Sequence, residues 1–90
     1  MRVADSIRQK LTAGLAPTRL VIDDQSARHA GHQPDAAEES HFAVEVVSAV
    51  FSGKNRIERH RLIHGLLAEE LAGGVHALAV TARSPEEDAA

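Results

Sequence analysis

Three histidines fall in the run "SARHAGHQPDAAEESHF", residues 26–42, and three more follow downstream in a chain of 90 residues that contains no cysteine. Neutral imidazole is a first-rank ligand for zinc, copper and iron. His29 and His32 have the HxxH spacing of a ligand pair. A closed structural zinc site needs four ligands, often thiolates, and thiolates are absent here. The alternative for this run is a solvated polar loop, because "QPDAAEE" has the composition of a segment that does not fold alone. His76 follows Val75 at the mouth of an otherwise apolar or small-residue strand. It reads either as a ligand or as a strand-end histidine bonded to backbone. His60 and His64 lie within or beside an apolar helix stripe and read as structural, as does His41 beside Phe42.

Other chemistries find less support. Ser40 and His41 are strand neighbours with side chains on opposite faces, so they cannot pair as nucleophile and base. No GxSxG elbow and no phosphate-cradling glycine loop occurs, and the reading is non-enzymatic. "GKNRIERHR" is the one basic cluster: Lys54, Arg56, Arg59 and Arg61 against Glu58 give +3, leaving −6 elsewhere for a net −3. It opens a helix, where backbone N–H groups favour anions. Yet Arg59 and Arg61 point about 200° apart around a helix, and three phosphate contacts give a salt slope of only about −2.7. A solvated helix start is the plain alternative. With two aromatic residues, Phe42 and Phe51, a base-stacking platform for single-stranded nucleic acid is hard to build.

The elements that would position these residues follow from periodicity. Val3, Ile7, Leu11 and Leu15 recur at steps of four and predict a first helix, with Gly14 and Pro17 stopping it. Residues 19–24 read as a strand with Leu20 and Ile22 on one face. Residues 41–51 read as a second strand, Phe42, Val44 and Val46 facing one way and Ala43, Glu45 and Val47 the other. A single helix is expected over 56–72, carrying Ile63, Leu66, Leu67 and Leu71. "VHALAVTA" predicts a third strand, with His76, Leu78 and Val80 sharing a face. Ser84 as N-cap and Pro85 at N1 predict one helical turn before a frayed acidic tail over about 84–90.

The order α-β-β-α-β predicts one two-layer α/β domain over residues 1–90: a three-stranded mixed sheet with helices on one face. A loop joins the first two strands, which suits an antiparallel pair. A helix joins the second and third, which suits a parallel pair. Parallel pairing puts the starts of strands two and three on one edge, so connectivity draws His29, His32, His41 and His76 together, four of the six histidines. The fifteen residues of 26–40 exceed an ordinary hairpin loop. No disulfide framework, signal peptide or apolar run of membrane-spanning length is present, and the expected setting is cytoplasmic, without a membrane partner.

"ESHF", then F-x-G at Phe51–Gly53, then "RHR" followed by L-x-EEL, then "VHAL", in this order and spacing, resemble the BolA family across nearly the whole chain. The resemblance implies a fold similar to class II KH domains with a helix-turn-helix-like portion. It also implies an adaptor for iron–sulfur and iron homeostasis that pairs with a monothiol glutaredoxin and shares a [2Fe–2S] cluster. Glutaredoxin and glutathione would supply the thiolates; the chain alone would bind no cluster. Carried over, the motif ligand is His76, and the loop ligand is His29 by position with His32 as the alternate. Imidazole replacing thiolate on one iron raises the potential, as in Rieske centres. The family's other described activity is DNA-binding transcriptional regulation, which would use Lys54, Arg56, Arg59 and Arg61. This loop is longer than many in the family, and "QPDAAEE" replaces the more usual turn containing proline and glycine. The isolated chain is expected to be a monomer, with weak homodimerisation through Ala43, Val47, Ala77 and Ala79 on the open sheet face as the alternative.

Overall fold

The computed structural model describes residues 2–25 and 41–90. Among them the order is α1 (Val3–Leu15), β1 (Arg19–Asp24), β2 (His41–Val47), a 3-10 turn (Ala49–Phe51), α2 (Arg56–Leu66), α3 (Ala68–Gly73), β3 (Ala77–Arg83) and α4 (Pro85–Ala89). The sheet order is β1-β2-β3. Strand β1 runs antiparallel to β2, with Leu20 opposite Val46 and Asp24 opposite Phe42. Strand β3 runs parallel to β2, with Ala77 opposite His41 and Val80 opposite Val44. This is the expected mixed sheet, and it follows from a hairpin-type connection on one side and a helical crossover on the other.

One face of the sheet is covered. Phe42, Val44 and Val46 join Ile7, Leu11 and Leu15 of α1, Ile63 of α2, Leu67, Phe51 and Val75 in a single core cluster. The steps of four along α1 and the alternation along β2 are therefore the two patterns that build the core. No helix among the described residues is long and apolar enough to cross a membrane.

Four details differ from the sequence expectation, each for a local reason. Gly14 lies inside α1, and a Cβ there would sit 2.8 Å from the Leu66 side chain, so it permits close packing of α1 on α2. The helix ends one residue past Leu15 instead, at Ala16 in the left-handed region with φ 43°. The second strand stops at Val47. Ser48 is fully buried; its Oγ donates to the Leu15 carbonyl at 2.6 Å and accepts from the Val50 N–H at 3.1 Å. That turn, rather than a longer strand, delivers Phe51 to the core. The expected helix over 56–72 divides at Leu67, whose ψ of 21° leaves the helical region. Gly65 weakens the helix just before the break, and the short α3 then carries Glu70 to α1, where Ser6 Oγ and Lys10 Nζ donate to its carboxylate. Burial alone would raise the Glu70 pKa, but these two bonds outweigh it and hold the carboxyl below its ordinary value.

The open sheet face is less apolar than expected. Val47 belongs to it by alternation yet is 1% exposed. Arg19 and Arg83 are its ladder neighbours, and both guanidiniums donate to Glu45 Oε1. Arg19 also donates to Asp88 on α4. The acidic stretch 84–90 thus carries a helix that packs back on the domain. Ser84 and Glu87 form a reciprocal capping box, and Ser52 Oγ donates to Glu86 at 3.0 Å.

Candidate metal-ligand edge and basic groove

The starts of β2 and β3 lie side by side because the two strands are parallel. His41 and His76 come together there, their ring centroids 6.4 Å apart and tilted by 54°. His76 is placed by its neighbours. Val75 is buried at 6% exposure, and the Gly74 and Val75 N–H groups both donate to the Glu70 carbonyl, at 3.2 and 3.1 Å. The chain then enters the β3 ladder at Ala77. His76 sits just before that strand and is exposed, so it does not share the core-facing side with Leu78 and Val80; Val75 takes the buried position. Its imidazole forms no hydrogen bond with a described residue and meets only the ring of His41.

The other end of this edge belongs to β1. The Gln25 N–H donates to the His41 carbonyl at 2.8 Å, so the two chain ends that flank residues 26–40 are bonded together beside His76. His29 and His32 lie outside the described residues. The convergence expected from connectivity is therefore present for His41 and His76. No three histidine, aspartate or glutamate side chains among the described residues are grouped to hold a metal. Among the described residues the edge offers one imidazole without a hydrogen bond and a second ring beside it. Sequence reasoning set His41 aside as structural; the parallel register was the signal that places it against His76.

The basic residues divide into two kinds. Arg59 has a side chain only 12% exposed. Its Nε donates to the Lys54 carbonyl at 2.9 Å and its NH1 to the Ala82 carbonyl at 3.1 Å and to Glu87. Its guanidinium carbon lies 5.8 Å from the centre of the Phe51 ring, within cation–π range. Arg59 ties α2, β3 and α4 together. Lys54 is half-buried, Arg56 and Arg61 are exposed, and none of the three forms an ion pair with a described residue. Lys54, Arg56, His60 and Arg83 line a groove of about 470 Å³ between α2 and the end of β3. Asn55 and Glu58 close the α2 N-terminus with a capping box, which occupies donors that an anion would otherwise use. Glu87 at the groove's rim has its pKa lowered to about 2, first by the Ser84 backbone N–H and then by Arg59.

Residues 11–87 match the sequence model of the family described as BolA-like protein. The chain belongs to the BolA-like family. Protein BOLA1, chloroplastic, of Arabidopsis thaliana is 45% identical over 87 residues, covering 93% of this chain but 54% of that relative. The BolA-like chain thus spans about half the length of that curated relative. The solved structure of BolA1 from Arabidopsis thaliana superposes with a TM-score of 0.85 at 42% identity, covering 97% of this chain and 96% of that one. The BolA domain of SufE1 from the same organism gives 0.84 at 44% identity, with 94% of both chains covered. Both relatives share the three-stranded mixed sheet and its helices with this BolA-like chain.

Proposed function

We propose that this chain is a non-enzymatic adaptor that binds a monothiol glutaredoxin and shares a [2Fe–2S] cluster with it, in iron–sulfur handling. The observation that carries the reading is His76: an exposed imidazole with no hydrogen bond to a described residue, on the edge where the ends of segment 26–40 meet. A buried, hydrogen-bonded histidine would be committed to the fold; among the described residues, nothing commits this one. The donor set fits a shared cluster and not a closed one. The chain has no cysteine, so thiolates would come from glutaredoxin and glutathione, while His76 and one of His29 or His32 would bind the second iron. Imidazole ligation at that iron supplies a higher potential than all-thiolate ligation. This chain's own residues supply the placement: Val75 anchors the turn, the β3 ladder fixes its direction, and exposure leaves the ring open to a partner.

The test is a titration of the purified protein into cluster-loaded monothiol glutaredoxin, followed by visible absorption and circular dichroism. A new spectrum saturating at one to one, lost in His76→Ala and in one of His29→Ala or His32→Ala, is expected. An unchanged wild-type spectrum would remove shared ligation.

DNA binding is the second reading, favoured by Lys54 and Arg56 in the groove and Arg61 exposed on the same helix, none of them in an ion pair with a described residue. Arg59, held by Glu87 and two carbonyls, does not add to it. Binding to duplex DNA that weakens with salt, and weakens further in Arg56→Ala, would support this reading.

A further inference from the structure

Outside the edge just described, a second pair of neighbouring histidines occurs among the described residues. His60 and His64 are separated by four residues in α2, so their side chains lie on one helix face a turn apart. Their ring centroids are 6.1 Å apart with a tilt of 54°. His64 is exposed, His60 half-buried, and neither imidazole hydrogen-bonds to a described residue. The apolar stripe that these two histidines were expected to join is made without them, by buried Ile63 and Leu67 with Leu62 and Leu66 packed against it.

We propose that His60 and His64 form a two-imidazole site for a divalent transition-metal ion, with Cu(II) bound most tightly. A ring nitrogen binds such an ion at about 2.0–2.1 Å, which puts each ring centre about 3.2 Å from the metal and limits two rings on one ion to about 6.4 Å. The observed 6.1 Å is within that limit, but the roughly 90–109° angle of two neighbouring ligands needs about 4.5–5.2 Å, an approach of about 1 Å that rotation of the exposed His64 side chain must supply. Nitrogen ligands alone select the later first-row ions over Mg²⁺ and Ca²⁺, and the affinity order places Cu(II) first. No carboxylate occurs three or four residues from either histidine on this helix, and Glu58 is engaged in its capping box. Glu87, in the same groove as His60, is held by Arg59 and the Ser84 N–H, and no group of three His, Asp or Glu side chains that could hold a metal occurs among the described residues, so further coordination positions are open to water or to an anion from solution. His60 also lines the groove with Lys54 and Arg56, so an anionic co-ligand would meet positive charge there. Metal bridging two successive turns would stabilise α2, which carries Gly65 and breaks at Leu67.

The test isolates this pair from the His76 edge. Changing His29, His32, His41 and His76 to alanine leaves His60 and His64 as the only histidines of the six. Cu(II) titration of that variant, followed by electron paramagnetic resonance, is expected to show one equivalent with two imidazole nitrogens. Adding His64→Ala should weaken binding by about tenfold or more, because the second ligand no longer acts at high effective concentration. Equal copper binding with and without His64→Ala would overturn the proposal. Should the four-alanine variant fail to fold, the wild-type protein with ¹⁵N-labelled imidazoles answers the same question. Cu(II) should broaden the His60 and His64 ring signals together, and sharp signals from both after the histidines of the His76 edge have been saturated would overturn the proposal. Loss of glutaredoxin cluster sharing would leave either result unchanged.

Discussion

Arg59→Ala is expected to destabilise the fold by about 3 kcal/mol, whereas Arg56→Ala, three residues earlier, changes it by less than about 0.5 kcal/mol. The difference comes from burial and partners. Two bonds from the Arg59 guanidinium to the carbonyls of Lys54 and Ala82 contribute about 1 kcal/mol each, once water is allowed to replace the lost donor. The position over Phe51 adds about 0.5–1 kcal/mol. The pair with Glu87, which is 51% exposed, adds little to this because water and salt screen it. Arg59→Lys should fall between the two, since an ammonium cannot reach both carbonyls with a planar fork. Urea denaturation measures all three. For a domain of this size, 1 kcal/mol corresponds to about 4–8 °C in Tm, so Arg59→Ala and Arg56→Ala should be well separated in thermal melts. Stabilities for Arg59→Ala and Arg56→Ala that agree within 0.5 kcal/mol would refute the assignment of Arg59 as the tie between α2, β3 and α4.

Three further outcomes follow from single contacts. Ala16→Gly should stabilise the protein by about 0.5–1 kcal/mol in urea denaturation: relief of the left-handed backbone at φ 43° is worth about 1–2 kcal/mol, and the freer unfolded chain costs about 0.4–1 kcal/mol of it. Ser48→Ala should cost about 1–3 kcal/mol by the same assay, because the buried Leu15 carbonyl and Val50 N–H lose their partner together. The Glu87 pKa is depressed to about 2, so its stabilising effect is fully present above the ordinary carboxylate range and disappears as pH falls toward about 2. The stability gap between wild-type and Glu87→Gln, from urea titrations across acidic pH, should therefore be constant at neutral pH and close through that window.

Much of the fold was legible because two periodicities are strong. The steps of four in α1 and the alternation of Phe42, Val44 and Val46 each describe a face that a single core buries. Strand direction followed from what connects the strands, and the meeting of His41 with His76 followed from strand direction. Features that depend on contacts between distant elements were not legible. Gly14 looked like a helix stop because its reason for being glycine is Leu66, fifty-two residues away. Arg59 looked like part of a basic patch because Ala82, Glu87 and Phe51 come from three other segments. Val47 looked exposed because the arginines on either side of it are brought together only by Glu45. The break at Leu67 was hidden for a different reason: the apolar spacing continues unchanged across it, and only the backbone angle shifts.

Ligation by His76 is the central claim. The most direct measurement is pulsed electron paramagnetic resonance on the reduced complex with cluster-loaded monothiol glutaredoxin, using protein carrying ¹⁵N-labelled histidine. Strong ¹⁵N couplings from two imidazoles are predicted, one of them lost in His76→Ala while the variant keeps wild-type stability, as expected of an exposed side chain with no hydrogen bond to a described residue. Couplings that survive His76→Ala unchanged, or no imidazole coupling at all, would contradict the account.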